Sequence, residues 1–112
     1  MFISTSTFKS IQNEKDSFKI NILTKLNSDV AAAIREEFAV IKLGNYSDIY
    51  IDAKDVNDAD LSGINEIIHC HYCLQNLGHK LVFVYRRKSI IEKWVETTGL
   101  DKFVETAILP AL

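Results

Sequence analysis

The sequence lacks several features that would point away from a soluble globular domain. No apolar run approaches the roughly 20 residues of a membrane-spanning helix. The first residues, MFISTSTFKSIQNEKD, contain no basic segment followed by an apolar one, so we expect no secretory signal. The net charge is only −2, which gives no sign of a nucleic-acid-binding or membrane-seeking surface. We therefore expect no nucleic-acid partner and no membrane association.

Cysteine and histidine are both scarce. Cys70 and Cys73 are the only cysteines, and their three-residue spacing on a predicted helix does not by itself suit a disulfide. We expect reduced thiols and a cytoplasmic protein. His69 and Cys73 lie one helical turn apart, but zinc needs four nitrogen or sulfur ligands, and no second pair occurs elsewhere. We therefore expect no metal site and no cofactor.

The composition is that of an ordinary folded domain. The chain has 112 residues, of which 47% are hydrophobic and 25% charged. This length suffices for a core without disulfides or metals. Because no repeats, linkers or low-complexity segments interrupt the chain, we expect a single domain spanning residues 1–112.

Short apolar segments predict the strands. Phe18, Ile20 and Ile22 alternate with polar residues, as in a strand with one solvent-facing side. IYI and LVFVY are apolar on both faces, which is typical of buried strands in a mostly parallel sheet. The predicted strands therefore centre on residues 7–11, 18–22, 49–51, 81–85 and 103–104.

Three helices are predicted between these strands. The first begins after Asn27 or Ser28 and stops at Gly44. The second follows the loop at 58–61 and ends at Gly78. The third opens with an S-x-x-E capping box and stops at a Gly-Leu pair. The predicted inner stripe of the second helix comprises Ile64, Ile67, Ile68, His71 and Leu74. Alternating strands and helices predict a small α/β domain.

Three segments resemble the STAS domain, the family of anti-sigma factor antagonists and of the cytosolic tails of sulfate transporters. IDAKDVNDADLSG resembles the family's strand–loop–helix segment, GHKLVFV its turn into the next strand, and VETTGLDKFVE its helix end and final strand. The similarity runs from residue 49 to 104 and more loosely back through KINILTKLN. The resemblance implies a mixed sheet of four to five strands with three or four helices packed largely on one side.

The resemblance also implies a regulatory role without catalysis. Free-standing members bind a serine kinase of the histidine-kinase-like ATPase fold, which is also an anti-sigma factor, and so take part in transcription regulation. Phosphorylation of a loop serine ends the binding. The family pattern Asp-Ser-Ser-Gly appears here as Asp60-Leu61-Ser62-Gly63, so Ser62 occupies the acceptor position. The resemblance thus implies a phosphorylation-switched signalling protein, and we expect a monomer or weak homodimer. Because the sequence contains no Ser/His/Asp set, nucleophile elbow or Gly-rich phosphate loop, we expect that the protein is not an enzyme.

Elementary chemistry gives each motif residue a predicted role. Asp60 is a good helix N-cap, which leaves Ser62 in the first turn, where backbone N–H groups can receive a phosphoryl group. Gly63 leaves space for the close approach of a backbone or nucleotide. The residues predicted to bind the partner are Asn27, Asp58, Asp60, Leu61, Gly63, Ile64 and Ile67.

Other interpretations of this region differ in kind. The alternative interpretation is a constitutive STAS scaffold subunit of a lipid-transport or signalling complex, in which Ser62 is never phosphorylated. DADLSG also matches the first half of a calcium loop, but the required glutamate at the twelfth position is His69. Asp52 follows an apolar strand, as phospho-accepting aspartates do, but Lys54 stands where a second aspartate is needed.

Overall fold

The computed structural model describes residues 2–9 and 15–112, in which strands and helices alternate. The strands are β1 (Ile3–Lys9), β2 (Asp16–Ile22), β3 (Lys25–Leu26), β4 (Tyr46–Asp52), β5 (Asp58–Ala59), β6 (Lys80–Arg86) and β7 (Glu105–Leu109). The helices are α1 (Ser28–Leu43), α2 (Leu61–Asn76) and α3 (Ile90–Thr98), followed by a 3₁₀ turn at Leu100–Lys102. None of the helices in these residues is long and apolar enough to cross a bilayer.

Five strands form one mixed sheet in the order β1-β2-β4-β6-β7. β1 is antiparallel to β2, and the other neighbours are parallel. β3 and β5 form a separate two-stranded parallel sheet. The predicted fold class, an α/β domain with a mixed sheet of four to five strands, is confirmed.

The core lies between the helices and one face of the sheet. Ile20, Ile51 and Phe83 share this face by register and are fully buried. They belong to one cluster with apolar side chains of all three helices, such as Ile34 and Ile67. On α2 the innermost positions include Cys70, while His71 is half-buried. The predicted stripe therefore lies close to the observed one, with Cys70 as an apolar core residue.

The two end strands differ from their predicted positions. β1 runs from Ile3 to Lys9, while residues 10 and 11 of the predicted strand 7–11 lie outside the described residues. The last strand was predicted at Phe103 and Val104, and this is wrong, because the N–H groups of both donate to the Leu100 carbonyl and prolong the 3₁₀ turn. β7 begins only at Glu105, where pairing with β6 starts.

Helix ends follow local sequence signals. Asn27, not Ser28, caps α1. Gly78 has φ +83° beyond the end of α2, and the His79 N–H donates to the Leu74 carbonyl at 2.8 Å, which completes a Schellman motif. Gly99 has φ +70° at the end of α3.

Candidate functional site at the start of helix α2

Ser62 lies exposed in the first turn of α2. Asp60 has extended backbone and its Oδ1 accepts a hydrogen bond from the Gly63 N–H at 2.9 Å, so it is the helix N-cap. The first intrahelical bond runs from the Ile64 N–H to the Asp60 carbonyl at 3.1 Å. The amides of Leu61 and Ser62 therefore precede the helical hydrogen-bond ladder and lie at the positive end of the helix dipole.

The turns before α1 and α2 are joined by the small β3–β5 sheet. Leu26 pairs with Ala59, and the Asp60 N–H donates to the Leu26 carbonyl at 3.1 Å. Further back, the Asn57 N–H donates to the Thr24 carbonyl at 2.9 Å. These backbone bonds bring the starts of α1 and α2 together. The caps of the two helices, Asn27 and Asp60, are more than thirty positions apart in the sequence.

Gly63 is required by this close approach. A Cβ at this position would overlap the Leu26 carbonyl oxygen and lie 2.9 Å from the Asn27 nitrogen. The space beside Gly63 is therefore filled by the chain's own backbone. This corrects the prediction that Gly63 leaves room for a partner's backbone or a nucleotide.

The apolar residues that follow also point inward. Ile64 and Ile67 have no exposed surface and belong to the core cluster. Fully buried side chains cannot contact a partner, so the prediction of partner contact is corrected for these two. Their position on the inner stripe of α2, which was also predicted, is confirmed.

Five of the predicted site residues do reach solvent and form what we call the Ser62 surface. They are Asn27, Asp58, Asp60, Leu61 and Ser62. Asn27 is half-buried, and its Oδ1 accepts a hydrogen bond from the Val30 N–H at 3.1 Å. Leu61 is 53% exposed, a high value for so apolar a side chain. The Ser62 surface thus combines one hydroxyl, one amide, one apolar side chain and two carboxylates.

Sequence reasoning missed an ion-pair cluster at the end of β4. Asp52 is only 4% exposed and its Oδ2 lies 2.9 Å from Lys54 Nζ and 3.2 Å from Lys19 Nζ. Its Oδ1 also accepts from the Lys54 N–H at 2.9 Å. Burial raises the pKa of the Asp52 carboxyl, but the Lys54 N–H and the two ammonium groups outweigh burial, so that this pKa lies below its ordinary value. The alternation of β2 places Lys19 on the sheet face away from the core, but it does not reveal which residue of β4 lies beside it.

The histidine–cysteine segment of α2 is split between core and surface. Cys70 is buried, and burial raises the pKa of its thiol. Cys73 Sγ lies 3.4 Å from His69 Nε2 on the outer side. Within residues 2–9 and 15–112, no three His, Cys, Asp or Glu side chains are grouped as a metal site.

Comparison with known proteins finds likeness in structure only. No family model matches the sequence, and neither does any curated protein. An anti-sigma factor antagonist from Mycobacterium paratuberculosis is 16% identical with a TM-score of 0.70, covering 98% of this chain and 87% of that one. The anti-sigma factor antagonist SpoIIAA in its unphosphorylated form is 13% identical with a TM-score of 0.65, covering 96% and 89%.

A phosphorylated form is also similar. SpoIIAA of Bacillus in the phosphorylated form is 14% identical with a TM-score of 0.60, covering 96% of this chain and 92% of that one. Identities this low bear on architecture alone. The chain therefore has the fold of the anti-sigma factor antagonists, as its resemblance to the STAS domain implied.

Proposed function

We propose that this protein is a cytoplasmic regulatory binding protein of the anti-sigma factor antagonist type. It binds a serine-kinase anti-sigma factor of the histidine-kinase-like ATPase fold when Ser62 is unphosphorylated, and it acts without catalysing a reaction. One observation carries the proposal: Ser62, at the acceptor position of the family motif, is exposed in the first turn of a capped helix.

The first turn can accept a phosphoryl group without loss of the fold. The amides of Leu61 and Ser62 precede the helical ladder and can donate to phosphate oxygens. A phosphoserine carries a charge of about −1.5 to −2, which the positive end of the helix dipole stabilises. The structural likeness to SpoIIAA in both its phosphorylated and unphosphorylated forms agrees with a switch that leaves the architecture intact.

The charge of a phosphoryl group on Ser62 would oppose the binding of a protein partner at the Ser62 surface. Asp58 and Asp60 are exposed beside Ser62, so a phosphoryl group would deepen a negative patch. A protein that packs on Leu61 would then have to remove water from that charge. For an ion that gains no counter-charge, this desolvation costs roughly several kcal/mol. Phosphorylation therefore ejects the partner by repulsion and desolvation at the interface.

The test is a matched set of Ser62 variants in a binding assay with candidate anti-sigma kinases from the same genome. Ser62→Ala should bind as wild type does and resist release by ATP. Ser62→Asp should lose binding by a factor of about ten or more, since about 1.4 kcal/mol corresponds to tenfold. Gln75→Glu, which adds one charge to the exposed far end of α2, should bind normally.

A scaffold role gives the opposite result. Leu61, 53% exposed where the family has a serine, favours permanent apolar packing over a reversible switch. A constitutive scaffold would keep its partner in both Ser62→Ala and Ser62→Asp. Binding of Ser62→Asp equal to wild type, together with Ser62 unmodified in protein isolated from stressed and growing cells, would replace the switch with the scaffold.

A further inference from the structure

The sheet face opposite the helices carries a cavity that the Ser62 surface does not include. By register, Ser6, Lys19, Tyr50 and Val82 lie in line across four strands on this face. The residues that alternate with them, such as Ile20 and Ile51, point into the core. A cavity of about 580 Å³, which is an open groove and not an enclosed pocket, lies over this face between β1 and the end of β7. Its volume falls in the range of small-molecule sites, roughly 300–1,000 Å³.

Apolar side chains form the walls of the cavity. Phe8 and Tyr50 lie on one side with ring centroids 5.6 Å apart and planes tilted by 41°. Val84 and Leu109 contribute aliphatic surface on the other side. Phe8 is 43% exposed, so part of its ring is available to a ligand. An aromatic or aliphatic body would bury this surface from water.

The floor carries a surplus of positive charge. Lys19 and Lys54 line the cavity together with Asp52, and both ammonium groups share the one Oδ2 atom. Each ammonium has three donors, and the side chains remain 33% and 31% exposed. A second carboxylate, Asp55, lies 3.8 Å from Lys54 Nζ, but it is 65% exposed and does not line the cavity.

We propose that this cavity binds a small amphipathic anion, namely a carboxylate or sulfonate attached to an aromatic or aliphatic body. The anionic group contacts the ammonium groups of Lys19 and Lys54, and the body packs between the Phe8–Tyr50 pair and Val84. A cation is excluded by the same two lysines. A neutral apolar molecule would offer no hydrogen-bond acceptor to the two ammonium groups. This site is independent of the proposed role of Ser62.

The experiment is an NMR titration of the full ¹⁵N-labelled chain with 1-naphthoate. We expect saturable shifts of the backbone amides of Phe8, Tyr50 and Val84, with the amide of Ser62 unmoved. Two matched probes separate the two halves of the ligand: 1-naphthalenemethanol lacks the charge and acetate lacks the aromatic body. Each should bind at least ~10-fold more weakly, because each lacks one of the two contacts, either the charge-assisted hydrogen bonds or the buried ring.

Two variants and one control locate the site. Lys19→Gln leaves Asp52 paired with Lys54 and should weaken 1-naphthoate binding ~10-fold. Phe8→Ala removes a half-exposed ring, spares the core and should also weaken it. Lys25→Gln changes an exposed lysine on β3 and should change nothing. Longer alkanoates such as octanoate then distinguish aliphatic from aromatic bodies.

Four results would overturn the proposal. They are the absence of saturable shifts at millimolar 1-naphthoate, shifts confined to the helical side, equal affinity for acetate, and unchanged affinity in both Lys19→Gln and Phe8→Ala. Shifts of the same amides on dilution without ligand would show that a second copy of the chain covers this face, and would also overturn it.

Discussion

The start of α2 has an outer and an inner side with different physical demands. On the outer side, Leu61 and Ser62 lie in solvent. On the inner side, Gly63 is in contact with the backbone of Leu26, and Ile67 is fully buried. Consecutive residues of one motif are therefore divided between the packed interior and the exposed surface. Substitutions on the inner side should therefore affect stability, and those on the outer side should affect binding alone.

The largest expected contrast is between Ile67→Ala and Leu61→Ala. Removal of the fully buried Ile67 side chain leaves a cavity in the core and should lower the free energy of unfolding by about 2–5 kcal/mol. Leu61→Ala removes a side chain that is already 53% exposed and should change it by about 0.5 kcal/mol or less. Urea denaturation measures both. Equal losses would show that the two sides do not differ in this way.

A second contrast compares a buried with an exposed carboxylate. Asp52→Asn removes the charge that pairs with Lys19 and Lys54. It should lower the free energy of unfolding at pH 7 by about 1.5–3 kcal/mol. Asp58→Asn, at an exposed position on the outer side of the start of α2, should leave the free energy of unfolding almost unchanged.

The pH dependence of this loss has a defined sign. The pKa of Asp52 in the folded protein is lowered from 3.8, so its stabilisation is complete above the unfolded value and is lost as the pH falls through the folded value. The difference between wild type and Asp52→Asn should therefore shrink in acid below pH 3.8. A difference in unfolding free energy that stays constant between pH 7 and the acid range would contradict the ionised pair.

A third effect on stability is expected from Gly63→Ala. The added methyl group would overlap the Leu26 carbonyl, and the chain must shift at a cost of about 1–3 kcal/mol. Asn65→Ala, at an exposed position of the same helix, is the matched control and should be neutral or slightly stabilising. Urea denaturation again gives the comparison. A Gly63→Ala protein as stable as Asn65→Ala would mean that the two backbones separate at little cost.

Sequence reasoning succeeded where the physical cause is local. The Asp60 cap and the stop at Gly99 depend on residues a few positions apart, and both are observed. The start of β7 was misplaced because Phe103 and Val104 complete a 3₁₀ turn, which apolar character alone does not reveal. β1 was only partly predicted because most of its residues are exposed and show no alternating pattern.

The rest of the site depends on distant partners. Gly63 was assigned to an intermolecular approach, whereas its neighbour is Leu26, which the β3–β5 pairing brings into contact. Likewise, Asp52 meets Lys19 only because β2 and β4 pair with Asn21 opposite Asp52. Strand register is a property of the assembled sheet, so neither contact was available from residue spacing.

The β3–β5 pairing has a consequence for the kinetics of recognition. Its backbone hydrogen bonds fix the turn before α1 against the turn before α2, so the Ser62 surface has its shape before any partner arrives. A preformed surface saves the ordering cost of a flexible loop. In the proposed role, encounter would proceed close to rigid-body docking, in which partners differ mainly in their dissociation rates. The time for which a partner stays bound to this surface, and not its rate of association, would therefore distinguish one partner from another.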